Sequence, residues 1–218
     1  MSQVRPYRGV DASQRLAQRR AQLIAAGLDL LGAAAPLPDL TVRSVCSASG
    51  LGVRYFYESF TDKDDFVGAV FDAVIADLAT TTQAAVAAAP ARERNRAGMA
   101  NIVNAVASDP RVGRLLFNAQ LTNAVVARKR ADSAALLATL YSADLGAALR
   151  LEQNERIKAT GYFAVGGVGQ TLSAWLSGEI TFTPDELIDH LATMLDEFAD
   201  AQLHSPAGGQ LRSRPQRR

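Results

Sequence analysis

One stretch of twenty residues, T-V-R-S-V-C-S-A-S-G-L-G-V-R-Y-F-Y-E-S-F from Thr41 to Phe60, leaves the backbone few choices. Thr41 is of the type that caps a helix, and Val42 and Val45 supply the apolar contacts of a short helix running through Ser49. Gly50 follows, where a tight turn needs a residue without a Cβ. Val53 to Phe60 then reads as a second short helix. Two short helices that cross steeply need a small residue where they touch, and Cys46 stands there. Val42, Val45, Leu51, Phe56 and Phe60 bury the inner faces. This is the helix-turn-helix pattern, whose second helix enters the DNA major groove. Its outward face is Val53, Arg54, Tyr55, Tyr57 and Glu58. An arginine can contact guanine through two donors, and a tyrosine hydroxyl suits a phosphate. The same residues also fit an ordinary helical hairpin with a solvated face.

Composition extends the helical reading to the whole chain. Alanine, the best helix former, occurs 40 times in 218 residues, while aromatic residues make up only 6%. β-branched runs bounded by turn residues are scarce, so the expected fold class is all-α. The length is ample for a hydrophobic core that needs no disulfide or metal staple. One cysteine, Cys46, excludes a disulfide framework within the chain and fits a reducing compartment. Uninterrupted apolar runs are short, so no membrane span is expected. The start, Met1 to Arg8, lacks an apolar signal core, which predicts a cytoplasmic protein.

The net charge of +1 excludes wholesale electrostatic binding to nucleic acid or membrane. Its distribution is uneven. Residues 1–60 carry a net +3, residues 61–204 a net −6, and residues 205–218 four arginines and no acid. A basic front on an acidic body suggests a nucleic-acid-binding head joined to a larger regulatory or oligomerisation domain.

Residues 1–12 read as a flexible arm. From Ser13 to Leu31, Leu16, Leu23, Ile24, Gly27, Leu30 and Leu31 make one apolar stripe, with Arg15, Arg19 and Arg20 in the first half. Pro36 and Pro38 break the chain. Asp62 reads as the cap of the next helix, with Asp64 and Asp65 favouring its dipole. Pro90 closes that helix. Further helices are predicted over 93–107, over 111–150 with an interruption near Asn118 to Asn123, and over 154–176. Thr183-Pro184-Asp185-Glu186 is a full start signal for a last helix ending near Leu203. Residues 205–218 read as a disordered basic tail.

More than the hairpin matches a known pattern. Arg19, Arg20, Leu23, Ile24, Ala26, Gly27, Leu30 and Leu31 are followed by Thr41-Val42-Arg43 and Val45. Ser49-Gly50-Leu51, Phe56-Tyr57 with Phe60, and Lys63 with Phe66 complete it. Over residues 13–75 this resembles the N-terminal domain of the TetR family of bacterial transcriptional regulators. The resemblance implies a three-helix DNA-binding domain over 13–62 and an effector-binding and dimerisation domain over 63–204. It implies phosphate contacts for Thr41, Tyr57 and Lys63, with Arg43 and Ser44 near the backbone. Arg54 and Tyr55 take the base-reading and groove-facing positions beside Val53. Gly52 departs from the family's usual Ser or Thr cap of the recognition helix, and Ser59 from a frequent aromatic. Cys46 replaces a common alanine, for which a buried small hydrophobe is the simpler account than a redox role.

In the body, Thr160, Ala164, Gly167, Thr171 and Ala174 form a small-residue stripe beside Gly161, Val165, Val168, Leu172 and Trp175. The last helix offers Leu187, Leu191, Met194, Leu195 and Phe198. The pair resembles the two helices that meet their copies in a TetR-like homodimer. Ala164, Gly167, Val168, Thr171, Trp175, Leu191, Leu195 and Phe198 are the expected interface, unless both helices simply pack inside one subunit. By the same resemblance, Met99, Val103, Phe117, Asn118, Leu121, Tyr141 and Phe163 are the expected ligand pocket, with Tyr141 and Asn118 as its polar points. Arg111, Arg114, Arg128 and Arg130 read as surface. The effector is therefore expected to be neutral or cationic and hydrophobic.

Enzyme readings find little support. His190 and His204 lack partners at metal-ligand spacing, so neither a metal nor a cofactor is expected. Glu186 and His190 are four apart, which commonly makes a surface pair. The Gly166-Gly167-Val168-Gly169 run follows no strand, so tight helix packing accounts for it better than a phosphate cradle. The expected function is a DNA-binding transcriptional regulator, a repressor released from operator DNA by its ligand. The alternative is a helical ligand-binding protein or enzyme that keeps the hairpin as scaffold.

Overall fold

Side-chain caps set the helix boundaries. Residues 12–34, 40–118 and 121–204 are described in this computed structural model. Among them the chain forms ten α-helices and no strand. These are α1 (Ala12–Leu31), α2 (Val42–Ser49), α3 (Val53–Ser59), α4 (Lys63–Ala88) and α5 (Arg94–Ser108). They continue as α6 (Pro110–Phe117), α7 (Ala124–Leu149), α8 (Glu155–Leu176), α9 (Pro184–Glu197) and α10 (Ala201–His204), so the chain is all-α. The N-terminal arm before residue 12, the break at Pro36 and Pro38, and the tail 205–218 lie outside the described residues.

Thr41 accepts from the Ser44 amide at 3.1 Å, and Asp62 from the Asp65 amide at 2.8 Å. Asp109 starts α6 by accepting from the Arg111 amide, with Pro110 in the first turn. Thr183 and Glu186 form a reciprocal capping box at α9. The region 111–150 divides cleanly, because Asn118 ends α6 and the Asn123 side chain accepts from Val125 and Val126 to start α7. The last helix differs from the sequence expectation. It stops at Glu197 and restarts as α10, where the Asp200 carboxylate accepts from the Gln202 amide at 2.9 Å. An aspartate at that position caps a new turn in preference to continuing the old one.

Two cores hold the helices together. The first joins α1, α2, α3, α4, α6 and α7 around Leu23, Val45, Phe56, Phe60, Phe66, Val70, Phe71, Leu115 and Val126. Phe56, Phe60 and Phe66 meet with centroids 5.1–5.5 Å apart, within the range for favourable ring pairing. Gly27 lets α1 lie against α4: a Cβ there would meet Val70 at 2.5 Å and Phe66 at 2.6 Å. The second core joins α5, α8 and α9 through Met99, Val103, Val106, Ala164, Leu172, Leu187, Ile188, Leu191 and Leu195.

By length and composition alone α4 would pass as a membrane span, although its uninterrupted apolar runs are short. Asp72 and Asp77 lie within it, and Asp72 pairs with Lys129 of α7. Its Phe66, Val67, Val70 and Phe71 are core.

Candidate nucleic-acid interface

The hairpin is built by local chemistry. Gly50 ends α2 in the left-handed region, φ 69°, which lets the chain reverse within three residues before α3. Cys46 is buried between the helices, and burial pushes its thiol pKa up. Gln22 of α1 donates to the Ser49 carbonyl at 2.7 Å, and Arg20 donates to the Ser59 carbonyl at 2.6 Å. Both bonds tie the C-terminal ends of the short helices to α1. Gly52 starts α3 with no side-chain cap.

Phe56 points into the core, which turns the opposite side of α3 to solvent. Val53, Arg54 and Tyr57 are exposed, and the Arg54 side chain is 86% exposed. Thr41 and Arg43 at the start of α2 and Lys63 at the start of α4 are also exposed. The first-turn amides of α2 beside Arg43 are the kind of group that binds a phosphate. Ser44 is half-buried, and its hydroxyl is spent on the cap: it donates to the Thr41 carbonyl at 2.7 Å and accepts from the Thr41 amide at 3.0 Å. Tyr55 is half-buried, with the Arg19 guanidinium 4.0 Å from its ring centre. Glu58 ties the exposed face together. Arg54 Nε donates to its Oε1 at 2.8 Å, and Arg19 Nη1 lies 3.6 Å from its Oε2. The first link was legible as a four-residue spacing; the second depends on how α1 crosses α3.

In the body, Met99 and Val103 are buried with Phe117 and Tyr141 packed against the same core. Phe117 also touches the first core, where Leu121 joins it. Burial, with Asp196 nearby, pushes the Tyr141 hydroxyl up to about 12, so it stays neutral. Asp196 accepts from Asn95 at 2.7 Å. The Asn118 carbonyl accepts from Arg130 at 2.8 Å. Phe163 stands apart from this group. It is 66% exposed on α8 and meets Phe198 edge to face at 5.7 Å.

Arg130 is half-buried, not a surface residue. Its guanidinium donates to the carbonyls of Arg114, Leu115 and Asn118 at the C-terminal end of α6. Desolvation lowers its pKa. Arg111 and Arg114 are engaged as well, with Asp29 and Asp109 and with the Gly32 carbonyl. An open groove of about 660 Å³ runs between α1, α4 and α7, and none of the expected pocket residues lines it.

The expected interface residues divide. Leu191, Leu195 and Ala164 are core residues of one subunit, while Val168, Trp175 and Phe198 are half-buried against them. Thr171 is half-buried and Gly167 exposed. Among the described residues, a Cβ on Gly166, Gly167 or Gly169 would meet nothing within 4 Å. Glu186 spends its carboxylate on the Thr183 amide and hydroxyl, both at 2.8 Å, and His190 lies against the Phe182 ring instead. His204 is buried and pins α10, with Nε2 2.7 Å from the Phe198 carbonyl and Nδ1 3.5 Å from the Thr160 hydroxyl.

No family model and no curated protein matches the sequence. Solved structures do. The chain is similar to the fatty acid degradation regulator FadR from Bacillus halodurans, with 14% identity over 90% of this chain and 97% of that one, at a TM-score of 0.68. It is similar to FadR from Bacillus subtilis in complex with stearoyl-CoA, with 14% identity over 80% and 96% at a TM-score of 0.62. A TetR family transcription regulator from Marinobacter aquaeolei VT8 matches with 18% identity over 85% and 97% at a TM-score of 0.58. The chain therefore has the fold of the TetR-like regulators along most of its length.

Proposed function

We propose that this chain is a TetR-like transcriptional regulator and not an enzyme: a cytoplasmic homodimer that binds operator DNA and is released as a repressor by a small ligand. The observation that carries the reading is α3, a short helix anchored by Phe56 that presents Val53, Arg54 and Tyr57 outward. Thr41 and Arg43 on one side and Lys63 on the other are exposed cation or hydroxyl groups suited to phosphates. The head spans α1 to α3 and the body starts at Lys63, although one core crosses that boundary through α4.

Dimerisation through α8 and α9 is supported by glycines that no packing inside the subunit explains. Gly166, Gly167 and Gly169 cost helix stability, yet among the described residues nothing would lie within 4 Å of a Cβ on any of them. Exposed Tyr162, Phe163 and Met194 lie on the same two helices. Phe163 therefore belongs to this proposed interface, together with Gly167 and Phe198, while Leu191 and Leu195 support it from beneath.

For the ligand we propose a hydrophobic molecule, neutral or cationic, held near Met99, Val103, Phe117 and Tyr141. The neutral Tyr141 hydroxyl and the Asp196 carboxylate favour a donor or a cation there, and Arg130 is already committed to α6. The Bacillus subtilis neighbour is a complex with stearoyl-CoA, a ligand that carries a long acyl chain.

Selection of operators from random duplexes tests the central claim. Tyr57→Phe and Lys63→Ala are expected to weaken binding to every duplex alike. Arg54→Ala is expected to lose about 1–3 kcal/mol of discrimination at one base pair. A chain that selects no sequence refutes the reading.

A further inference from the structure

The recognition helix carries an acid where phosphates would repel one. We infer that Glu58 is a positioning residue for base reading, holding Arg54 by its Nε so that both terminal nitrogens face a guanine edge. The inference rests on the DNA-binding reading above.

The geometry is specific. Arg54 Nε donates to Glu58 Oε1 at 2.8 Å across one helical turn. The Arg54 side chain as a whole is 86% exposed, and the bond to Glu58 uses Nε, which leaves the Nη1 and Nη2 donors for a ligand. Those two donors are spaced to meet the O6 and N7 acceptors of guanine together. Glu58 is itself held, because Arg19 of α1 lies 3.6 Å from its Oε2 and stacks on Tyr55 at 4.0 Å. The chain Tyr55–Arg19–Glu58–Arg54 thus fastens a reading side chain to the head. Fold stability does not account for the acid, since exposed ion pairs contribute little. Binding does: an arginine already fixed at Nε loses fewer rotamers when it docks. Glu58 also repels the backbone of any duplex, which penalises contacts that lack the guanine.

The test uses the full chain, its selected operator, single-base variants of that operator and a random duplex, all at one salt concentration. Arg54→Ala marks the base pair that Arg54 reads. Glu58→Ala is expected to lose roughly twofold to fivefold of the preference at that same pair, the range of an exposed ion pair. Its affinity for the random duplex is expected to rise. Glu58→Gln keeps a carbonyl acceptor for Nε, so it should retain the preference while still binding random duplex more tightly. A purely structural role would lower the melting temperature and weaken all duplexes together. The inference is overturned if Glu58→Ala leaves the Arg54 pair untouched, or changes a pair that Arg54→Ala does not. A wild-type chain without any sequence preference overturns the DNA-binding reading itself.

Discussion

Arg111 in the first turn of α6 pairs with Asp29 near the end of α1, 82 residues earlier in the chain. The same guanidinium donates to Asp109, the cap of its own helix, through Nη2 at 2.6 Å. Directly beneath, Gly32 allows backbone contact: a Cβ there would sit 2.7 Å from the Arg111 carbonyl oxygen. The start of α6 is thus fastened to the end of α1.

Arg111→Ala is expected to weaken the link between ligand and DNA more than the fold. Arg111 and Asp29 are exposed by about half, 43% and 58%, and Asp109 by 29%, so each of the two ion pairs should contribute about 1 kcal/mol or less. Ligand affinity without DNA should be unchanged, while the reciprocal effect of operator on ligand binding shrinks. Calorimetric titration with and without operator measures both.

The same residue predicts an acid dependence. The Arg111 hydrogen bond holds the Asp109 carboxyl below its ordinary range, helped by the amides of Arg111 and Val112 and opposed by desolvation. A depressed carboxylate binds fewer protons folded than unfolded, so its contribution is present above the unfolded value and lost as pH falls through the folded one. The gap in melting temperature between wild type and Arg111→Ala should therefore close below the carboxylate range. A gap that widens in acid would contradict this.

Arg130→Ala should be the most costly of the arginine replacements. It removes the guanidinium donors from three part-buried carbonyls at the end of α6, of which Arg114 and Asn118 keep one amide donor each at 3.2 Å. About 2 kcal/mol is expected, or roughly 4–8 °C in Tm for a chain of this size. Arg130→Lys should recover only part, since an ammonium cannot fork across three acceptors. Thermal melts of the two variants decide it.

Two glycines on α8 should behave oppositely. A methyl at Gly161 would run into the Ser142 hydroxyl and the Ala138 carbonyl of α7, so Gly161→Ala should destabilise the subunit by about 1–3 kcal/mol. At Gly167 no described residue would lie within 4 Å of a Cβ, so Gly167→Leu should leave the subunit folded. Sedimentation should then show loss of the dimer. A Gly167→Leu chain that remains dimeric would move the interface elsewhere.

Cys46 should resist alkylation in the native protein. It is 8% exposed in the hairpin core, and burial keeps the thiol protonated. Labelling should track unfolding in denaturant. Rapid labelling of the folded chain with loss of DNA binding would instead assign the thiol a sensing role.

Local chemistry carried a great deal here. Thr41, Asp62 and Thr183 announced helix starts because a cap is made within three residues of itself, and each forms as read. The hairpin was legible for the same reason, since Gly50 and the spacing of Val45, Phe56 and Phe60 act over a few turns. Asp200 escaped notice because a cap inside an apolar pattern looks like one more exposed acid. What joins distant segments was not legible. Periodicity shows that Leu191 and Leu195 share a face, but not that α5 lies against it. It shows that Phe163 is apolar, but not that its side of α8 is left open. Arg130 read as surface because its partners are backbone carbonyls, which every residue carries and no side-chain pattern reveals. Arg19 meets Glu58 only through the crossing of α1 and α3, an angle set by how Leu23 and Phe56 fill one core. Caps and turns are governed by short-range hydrogen bonds that residue type specifies directly, whereas helix pairing depends on the summed packing of many side chains, which becomes definite only when the core closes.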